Sequence, residues 1–322
     1  MKKAISLAAA ALLCAVALFG CGTAGVPQTT GGSAAPKKIS VVATIFPPYD
    51  FVREIAGDLV DLKMLLPPAA ESHSFEPTPR DMVDIQNCDL FIYVGGESDE
   101  WVEGVLGAAQ APGRTVVTLM DCVAVVEEEI VEGMEEEEEE EEGGEAPEYD
   151  EHVWTAPQNA KLIVEKLSAA LCALDEANAA AYQQNTSAYL LKLDALDAQF
   201  RAVTQAAKRK TIVFGDRFPF RYFADAYGLD YFAAFPGCST ETECSAKTLA
   251  FLIDKVKAEQ LPVVFHIELS NAKIANTIAQ ATGAQVRLLH AVHNISGDDF
   301  DAGASYLSLM EKNVETLKEA LG

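Results

Sequence analysis

Positive charge is scarce in this chain. The 322 residues include only 24 lysines and arginines against 49 aspartates and glutamates, for a net charge of −25. Because contacts to phosphates need lysine and arginine, this composition argues against a nucleic acid as partner. The negative charge is also concentrated, since residues 127–151 hold sixteen acids and no lysine or arginine. The acidity therefore belongs mainly to one segment and says little about the folded parts.

Long apolar runs, a disulfide framework and the common zinc motifs are also missing. After the first twenty residues, no segment is apolar for long enough to span a membrane. Five of the seven cysteines follow residue 21, and this odd number argues against a full disulfide framework. Cys238 and Cys244 could still close a small loop in an oxidising compartment. Neither an HExxH nor a CxxC pattern is present.

The N-terminal residues have the pattern of a targeting signal. Lys2 and Lys3 precede a short apolar run that ends at Cys21, which predicts a signal peptide over residues 1–21. The ending "LFGC" is similar to a bacterial lipobox, in which the cysteine is lipidated; an ordinary secretory signal is the alternative, because Phe19 stands where a small residue is usual. Residues 22–37 are rich in Gly, Pro, Ser and Thr and predict a flexible tether. We therefore expect an extracytoplasmic body anchored to the cell membrane through Cys21.

Strand and helix patterns alternate on both sides of a long helical stretch. β-Branched runs such as "KISVVATIF" and "KTIVFGD" precede segments with helical spacing, which predicts parallel sheets with covered faces. Residues 156–210 contain no glycine and one proline, which indicates long helices. We predict an α/β fold of two lobes, each a parallel sheet flanked by helices, joined by a long rigid helix. The predicted boundaries are 38–174 for the first lobe, including a disordered acidic loop at 127–150, 175–209 for the connecting helix, and 210–322 for the second lobe.

Histidine is rare, and its five positions follow a pattern. They are His73, His152, His266, His290 and His293, and each lies at a predicted strand end or in a loop. In open parallel sheets, ligands bind beyond the carboxyl ends of the strands. If both lobes turn those ends toward one cleft, the imidazoles converge there, and imidazole is the commonest protein ligand for zinc. Taken singly, each histidine has a structural role as its simpler explanation.

Two acids lie at comparable strand ends. Asp216 follows "TIVFG" and Glu268 lies in "HIEL", and carboxylates also serve as metal ligands. The alternatives are structural: Asp216 could pair with Arg217 or Arg221, and Glu268 could cap the helix that starts near Ser270.

Three stretches carry a resemblance to a known family. They are "PPAAESHSFEPTPRDMVDIQNCDLFIYVGG", "DEHVWTAPQNAKLIVEKL" and "ATGAQVRLLHAVHN" with the closing helix. Together they resemble the zinc/manganese class of solute-binding lipoproteins of ABC importers, over nearly the whole chain after the signal. The resemblance implies two α/β lobes joined by a rigid helix, with the metal buried between them.

The resemblance also implies a ligand set. It assigns the first ligand to His73 and the second to His152. Counted from the glycine of "ATG", the fourth slot falls on His290, which is therefore the predicted fourth ligand; aligning the final helix instead moves the slot towards His293, the weaker candidate. The third slot falls on Arg217, which cannot bind a cation. Asp216, one residue away, is therefore the preferred third ligand, with His266 or Glu268 as the alternatives.

The acidic run occupies the place where many zinc members of that family carry a mobile histidine-rich loop. Adjacent carboxylates repel one another, so the segment is expected to be disordered and solvated. A flexible polyanion beside the cleft would raise the local concentration of divalent cations. A plain solvated loop with no such role is the alternative.

These observations predict a lipid-anchored, extracytoplasmic receptor, monomeric and not an enzyme, that binds Zn2+ and delivers it to an ABC transporter permease. Several histidine ligands favour zinc, whereas Mn2+ gains ground if Asp216 and Glu268 both bind. Because neutral imidazoles are required, affinity should fall below about pH 6. A surface zinc hydrolase would instead need an open coordination position carrying water. An adhesin would have histidines that do not converge.

Overall fold

The computed structural model describes residues 37–108, 113–134, 148–239 and 243–322. The predicted signal peptide, Cys21 and nearly all of the predicted tether lie outside the described residues. So do residues 135–147, the centre of the predicted acidic loop. No helix within the described ranges is both long and apolar enough to cross a membrane.

The first lobe is a four-stranded parallel sheet in the order β2-β1-β3-β4. The two central strands, SVVA and LFIY, are largely buried, which explains their mostly apolar sequences. Its strands are β1 (Ser40–Ala43), β2 (Asp61–Met64), β3 (Leu90–Tyr93) and β4 (Thr115–Thr118). Its helices are α1 (Phe46–Ala56), α2 (Pro79–Asn87), α3 (Trp101–Ala108) and α4 (Pro157–Leu174).

The second lobe repeats this plan, with a parallel sheet in the order β6-β5-β7-β8. Its strands are β5 (Thr211–Arg217), β6 (Asp230–Phe235), β7 (Val263–His266) and β8 (Gln285–Leu288). Its helices are α6 (Arg221–Tyr227), α7 (Ala246–Ala258), α8 (Lys273–Thr282), α9 (Gly297–Asp301) and α10 (Tyr306–Leu321). The predicted α/β fold with two parallel sheets is confirmed.

A single long helix, α5 (Ala179–Ala206), connects the lobes. Its 28 residues span about 42 Å at 1.5 Å per residue. It starts later than the predicted residue 175 because Asp175 ends α4 instead. The Asp175 carboxylate accepts hydrogen bonds from Asn178 Nδ2 (2.7 Å) and Tyr182 Oη (2.8 Å), which holds the turn between the two helices.

The lobes share a continuous hydrophobic core. Buried residues of the first sheet and α1, of α5, and of β5 and α10 belong to one cluster, for example Val41, Phe51, Leu193, Phe214 and Leu317. Burying each such side chain contributes roughly 1.5–3 kcal/mol. A wide hinge opening would expose part of this core, so movement at the cleft is expected to be small or confined to loops.

Candidate metal centre

Three histidines from distant parts of the chain meet between the sheets. His73 lies in the loop after β2, His152 lies just before α4, and His293 lies in the loop after β8. One ring nitrogen of each lies within 4.8 Å of those of the other two. The ring centroids are 5.7 Å apart for His73–His152, 5.1 Å for His73–His293 and 4.3 Å for His152–His293. The site thus takes two imidazoles from the first lobe and one from the second.

His152 is held by the carboxylate two residues before it. Asp150 Oδ1 accepts hydrogen bonds from the backbone N–H of His152 (2.8 Å) and from its Nδ1 (3.0 Å). With the proton placed on Nδ1, the lone pair is on Nε2. That Nε2 atom is buried and has no hydrogen-bond partner among the residues that the structure describes. A carboxylate behind a histidine ring is the usual support of a metal ligand, because it fixes the tautomer and makes the ring more basic.

His73 is oriented through a serine. Its Nδ1 lies 2.8 Å from Ser98 Oγ, and the Ser98 hydroxyl donates in turn to Glu151 Oε1. The Ser98 backbone N–H also donates to Glu151 Oε2 (3.2 Å). Since the serine proton goes to the carboxylate, Nδ1 of His73 donates to Oγ, and Nε2 keeps its lone pair. The side chains of His73 and Glu151 are each 4% exposed, so both ends of this chain of hydrogen bonds are shielded from water.

His293 is positioned by its loop. The Glu268 carboxylate accepts the backbone N–H groups of Ala291 (2.7 Å) and His293 (2.9 Å). Trp154 Nε1 donates to the Ala291 carbonyl (2.8 Å), and this bond joins the loop of His293 to the segment that carries His152. Val292, between Ala291 and His293, adopts a φ of +62°, a strained conformation for a β-branched residue. The Nε2 atom of His293 is buried, and none of the described residues forms a hydrogen bond with it.

The protonation of the three rings follows from their surroundings. Burial, and next the charge of His152, lower the pKa values of His73 and His293 well below the usual range. Burial also pushes the pKa of His152 down, but Asp150, Glu151 and Glu128 outweigh it and leave that pKa raised. Burial raises the pKa of Glu151 to about 7. His73 and His293 are therefore neutral and offer lone pairs, while His152 is the ring at which a proton competes with a cation.

This donor set fits a transition metal held as cargo. A tetrahedral ion with Zn–N bonds of about 2.0–2.1 Å needs its nitrogens roughly 3.3 Å apart. The nitrogens of the three rings lie within 4.8 Å of one another, so binding would draw the rings closer together. Two buried, unpartnered nitrogens are otherwise unfavourable, each by about 1–3 kcal/mol. A bound cation would satisfy both.

His290 and His266, two other predicted candidates, do not join this group. The backbone of His290 is paired with Asn313, which accepts from its N–H and donates to its carbonyl (both 2.8 Å). Burial lowers the pKa of His290 to about 4, and the charge of Lys312 adds to the shift. His266 has its Nδ1 2.9 Å from the Ile267 carbonyl. The structure therefore brings His293, the weaker candidate for the fourth ligand, to the other imidazoles in place of the predicted His290.

The two acidic candidates are engaged with backbone groups. Asp216 accepts from the N–H of Arg217 (2.9 Å) and of Ile267 (3.3 Å), and Glu268 holds the loop of His293. Neither belongs to a group of described residues that could hold a metal. The Arg217 guanidinium forms a two-pronged ion pair with Glu71 (3.2 and 3.1 Å), which connects the second lobe to the loop of His73.

The described ends of the predicted acidic loop are packed against the second lobe. Glu128 Oε1 accepts from the backbone N–H groups of Gly237 (2.6 Å) and Cys238 (3.3 Å). Glu129 pairs with Arg221 (3.0 Å). Met134 is buried. The expected disorder therefore does not extend to residues 127–134.

Sequence reasoning missed the residues that support the imidazoles. Ser98, Asp150 and Glu151 were not predicted, although Asp150 and Glu151 directly precede His152 in "YDEHVW". A buried acid beside a histidine was the available signal, but it was hidden within the long acidic run. Cys238 was considered only as a disulfide partner of Cys244, and both carry thiols in the structure.

Known proteins resemble this chain over nearly its whole length. Residues 41–320 match the family described as "ZnuA: Zinc-uptake complex component A periplasmic". The high-affinity zinc uptake system protein ZnuA of Bacillus subtilis (strain 168) is 32% identical over 313 residues, or 96% of this chain and 95% of that protein. The zinc-binding lipoprotein AdcA of Streptococcus pneumoniae (strain ATCC BAA-334 / TIGR4) is 31% identical over 320 residues, but the chain spans only 61% of its length. The crystal structure of the Zn(II)-bound ZnuA-like domain of Streptococcus pneumoniae AdcA has a TM-score of 0.73 and 28% identity, over 88% of this chain and 99% of that chain.

Proposed function

Because the chain belongs to the ZnuA family of periplasmic zinc-uptake components, we propose that it captures Zn2+ outside the cytoplasm and delivers it to an ABC transporter permease. We further propose that it acts as a monomer and is held at the membrane surface by a lipid on Cys21. The imidazoles serve as a carrier site for the ion, and we assign no catalytic step to them.

The observation that carries this proposal is the meeting of His73, His152 and His293 between the lobes, where two Nε2 atoms are buried and have no hydrogen-bond partner in the described part of the chain. Buried polar atoms without partners are rare in proteins, and each one calls for an explanation. Here the three donors face one another, which an adhesive surface would not require. A cation bound at their centre satisfies all three lone pairs.

The ligand chemistry favours zinc over manganese. Imidazole suits zinc, whereas manganese prefers oxygen-rich sites. The carboxylates nearest the rings are used to orient them, since Asp150 accepts from His152, and Glu151 accepts from Ser98. A manganese-specific receptor of the same family remains the alternative to test.

Capture and release are governed by groups around the rings. His73 and His293 are neutral because burial lowers their pKa values, so His152, whose pKa is raised, is the ring at which a proton competes most with the ion. The ion pair between Glu71 and Arg217 joins the loop of His73 to the second lobe. Since the core of the two lobes is continuous, we propose that the ion enters and leaves by movement of such loops.

Calorimetric titration of the chain without residues 1–21 tests the proposal, with zinc and manganese as separate ligands. We expect zinc to bind at one site with far higher affinity than manganese. Loss of a ligand in His73→Ala or His152→Ala should weaken zinc binding by about 100-fold or more, beyond the 10–100-fold typical of supporting residues. His266→Ala, outside the cluster, is the matched control and should bind as wild type. Millimolar zinc affinity, unchanged in the two ligand variants, would refute the receptor.

A further inference from the structure

The imidazoles leave part of a tetrahedral ligand set open. Structural zinc sites are closed by four protein ligands, whereas His73, His152 and His293 supply three. Among the described residues, a second group able to hold a metal consists of His73, Glu151 and Cys238, whose ligand atoms also lie within 4.8 Å of one another. The two groups share His73, so the Cys238 thiol is next to the site already described.

Among the groups near the imidazoles, the Cys238 thiol is the least engaged in hydrogen bonds. Both oxygens of Glu151 accept hydrogen bonds from Ser98. Both oxygens of Asp216 accept from backbone N–H groups. The Cys238 sulfur, by contrast, makes no hydrogen bond to any residue in the described ranges of the chain. Thiolate is among the strongest zinc ligands in proteins.

The backbone next to Cys238 lies close to the histidine cluster. Its loop follows β6, and Glu128 holds it by accepting the N–H groups of Gly237 and Cys238. Gly237 lies against His152, where an added Cβ would be 3.0 Å from the ring's Cε1 and 3.1 Å from its Nδ1. A larger residue would push the loop away from the imidazole. Glycine at this position therefore keeps Cys238 close to the rings.

We propose that Cys238 is a ligand of the bound ion and supplies sulfur from the second lobe to the histidine site. This inference rests on the metal-binding function proposed above. On binding, the S–H bond breaks, the metal–sulfur bond forms, and the proton leaves to water, with no change in oxidation state. The sulfur and all three ring nitrogens are not mutually within 4.8 Å before binding. Rotation about the Cα–Cβ bond of Cys238 moves the sulfur between staggered positions without moving the backbone.

A sulfur ligand would also increase the selectivity of the site for zinc over manganese. Thiolate selects zinc and disfavours manganese more strongly than a carboxylate in the same position. Asp216, the expected ligand from this lobe, would have had the opposite effect. Cys238→Ser should therefore lower the ratio of zinc affinity to manganese affinity, as well as zinc affinity itself. We expect a loss of zinc affinity of about tenfold or more, at least that of removing a supporting residue.

The test uses the chain without residues 1–21 loaded with Co(II), whose thiolate complexes absorb in the near ultraviolet by sulfur-to-metal charge transfer. We expect this band in the wild type and its loss in Cys238→Ser, with Co(II) still bound. Cys244→Ser is the matched control from the same region and should keep the band. X-ray absorption at the zinc edge should show one sulfur at about 2.3 Å beside nitrogens at about 2.0–2.1 Å.

The results separate this inference from the proposed function. If Co(II) and zinc bind stoichiometrically without the band, or if the band survives in Cys238→Ser, the sulfur ligand is refuted while the histidine receptor stands. If neither ion binds to the wild type, the receptor itself fails. Should Cys238→Ser fold poorly, Cys238→Ala and the zinc-edge distance on the wild type decide the question.

Discussion

Asp150→Asn is the substitution that examines most directly how the metal centre is supported. Asp150 is 1% exposed, and its Oδ1 accepts both the N–H and the Nδ1–H of His152. Asparagine has nearly the same shape and keeps one oxygen, so the loop geometry should survive. The negative charge behind the ring is lost, and with it the force that keeps the proton on Nδ1 and makes Nε2 a strong donor.

We expect two effects of opposite sign. At a pH high enough for His152 to be neutral, zinc affinity should fall about 10–100-fold, the usual effect of removing a supporting carboxylate. That range corresponds to about 1.4–2.8 kcal/mol. At lower pH the proton competes with zinc at His152, whose pKa is raised by Asp150 together with Glu151 and Glu128. Without the Asp150 charge this pKa falls, so the loss of affinity on acidification should begin at a lower pH than in the wild type.

The assay is zinc affinity measured by competition with a chelator of known affinity, at intervals from pH 5 to pH 8. Asp194→Asn is the control, because it makes the same charge change at an exposed ion pair with Lys161. It should leave both the plateau and the acid limb unchanged. Equal plateau affinities for Asp150→Asn and wild type would refute the supporting role of Asp150. An acid limb that does not move would show that Asp150 does not set the pKa of His152.

Three further predictions concern the loops and the ion. Trp154→Phe removes the hydrogen bond to the Ala291 carbonyl, worth about 1 kcal/mol, so calorimetry should show zinc affinity about fivefold lower; an unchanged affinity would mean that the indole does not position His293. Gly133→Ala should lower the free energy of unfolding in urea by about 1–3 kcal/mol, because Gly133 has a φ of +89° and an added Cβ would meet the Phe251 ring at 2.1 Å. Gly107→Ala, in open space, is its control, and equal stabilities of the two variants would contradict the packing of this segment. Removal of zinc by a chelator should lower the Tm, since zinc at about 1,000 times its Kd stabilises a protein by about 4.1 kcal/mol; a Tm insensitive to zinc would exclude tight binding to the folded state.

The architecture could be predicted because it is encoded locally. β-Branched runs stopped by Pro47, or by Gly95 and Gly96, mark the ends of short strands. The absence of glycine across residues 156–210, with Pro157 as the one proline, predicted two long helices, and α4 and α5 lie there. The predicted start of α5 was a few residues too early. The Asp175 carboxylate can accept hydrogen bonds either at the start of a helix or at the end of the preceding one, so the sequence does not show which helix Asp175 belongs to. Only its contacts with Asn178 and Tyr182 decide between them.

The metal centre was predictable only in part. The resemblance assigned His73 and His152, and the structure places both in the cluster. It favoured His290, counted from the glycine of "ATG", over His293, given by alignment on the final helix, whereas the structure places His293 in the cluster. Their separation by three residues carries no periodic signal in a loop. The positive φ of Val292 and the hydrogen bond from the His293 backbone N–H to Glu268 shape the loop so that the His293 ring faces the other two imidazoles.

By itself, therefore, the sequence determined the order of the strands and helices, and it showed that the few histidines lie at strand ends or in loops. Both features depend on residues that are neighbours in the chain. The tertiary structure alone decided which side chains share the site. Ser98 and Glu151 are 53 positions apart, and Cys238 reaches His73 from the other lobe. Such contacts depend on how two sheets pack around one core, which no local pattern records.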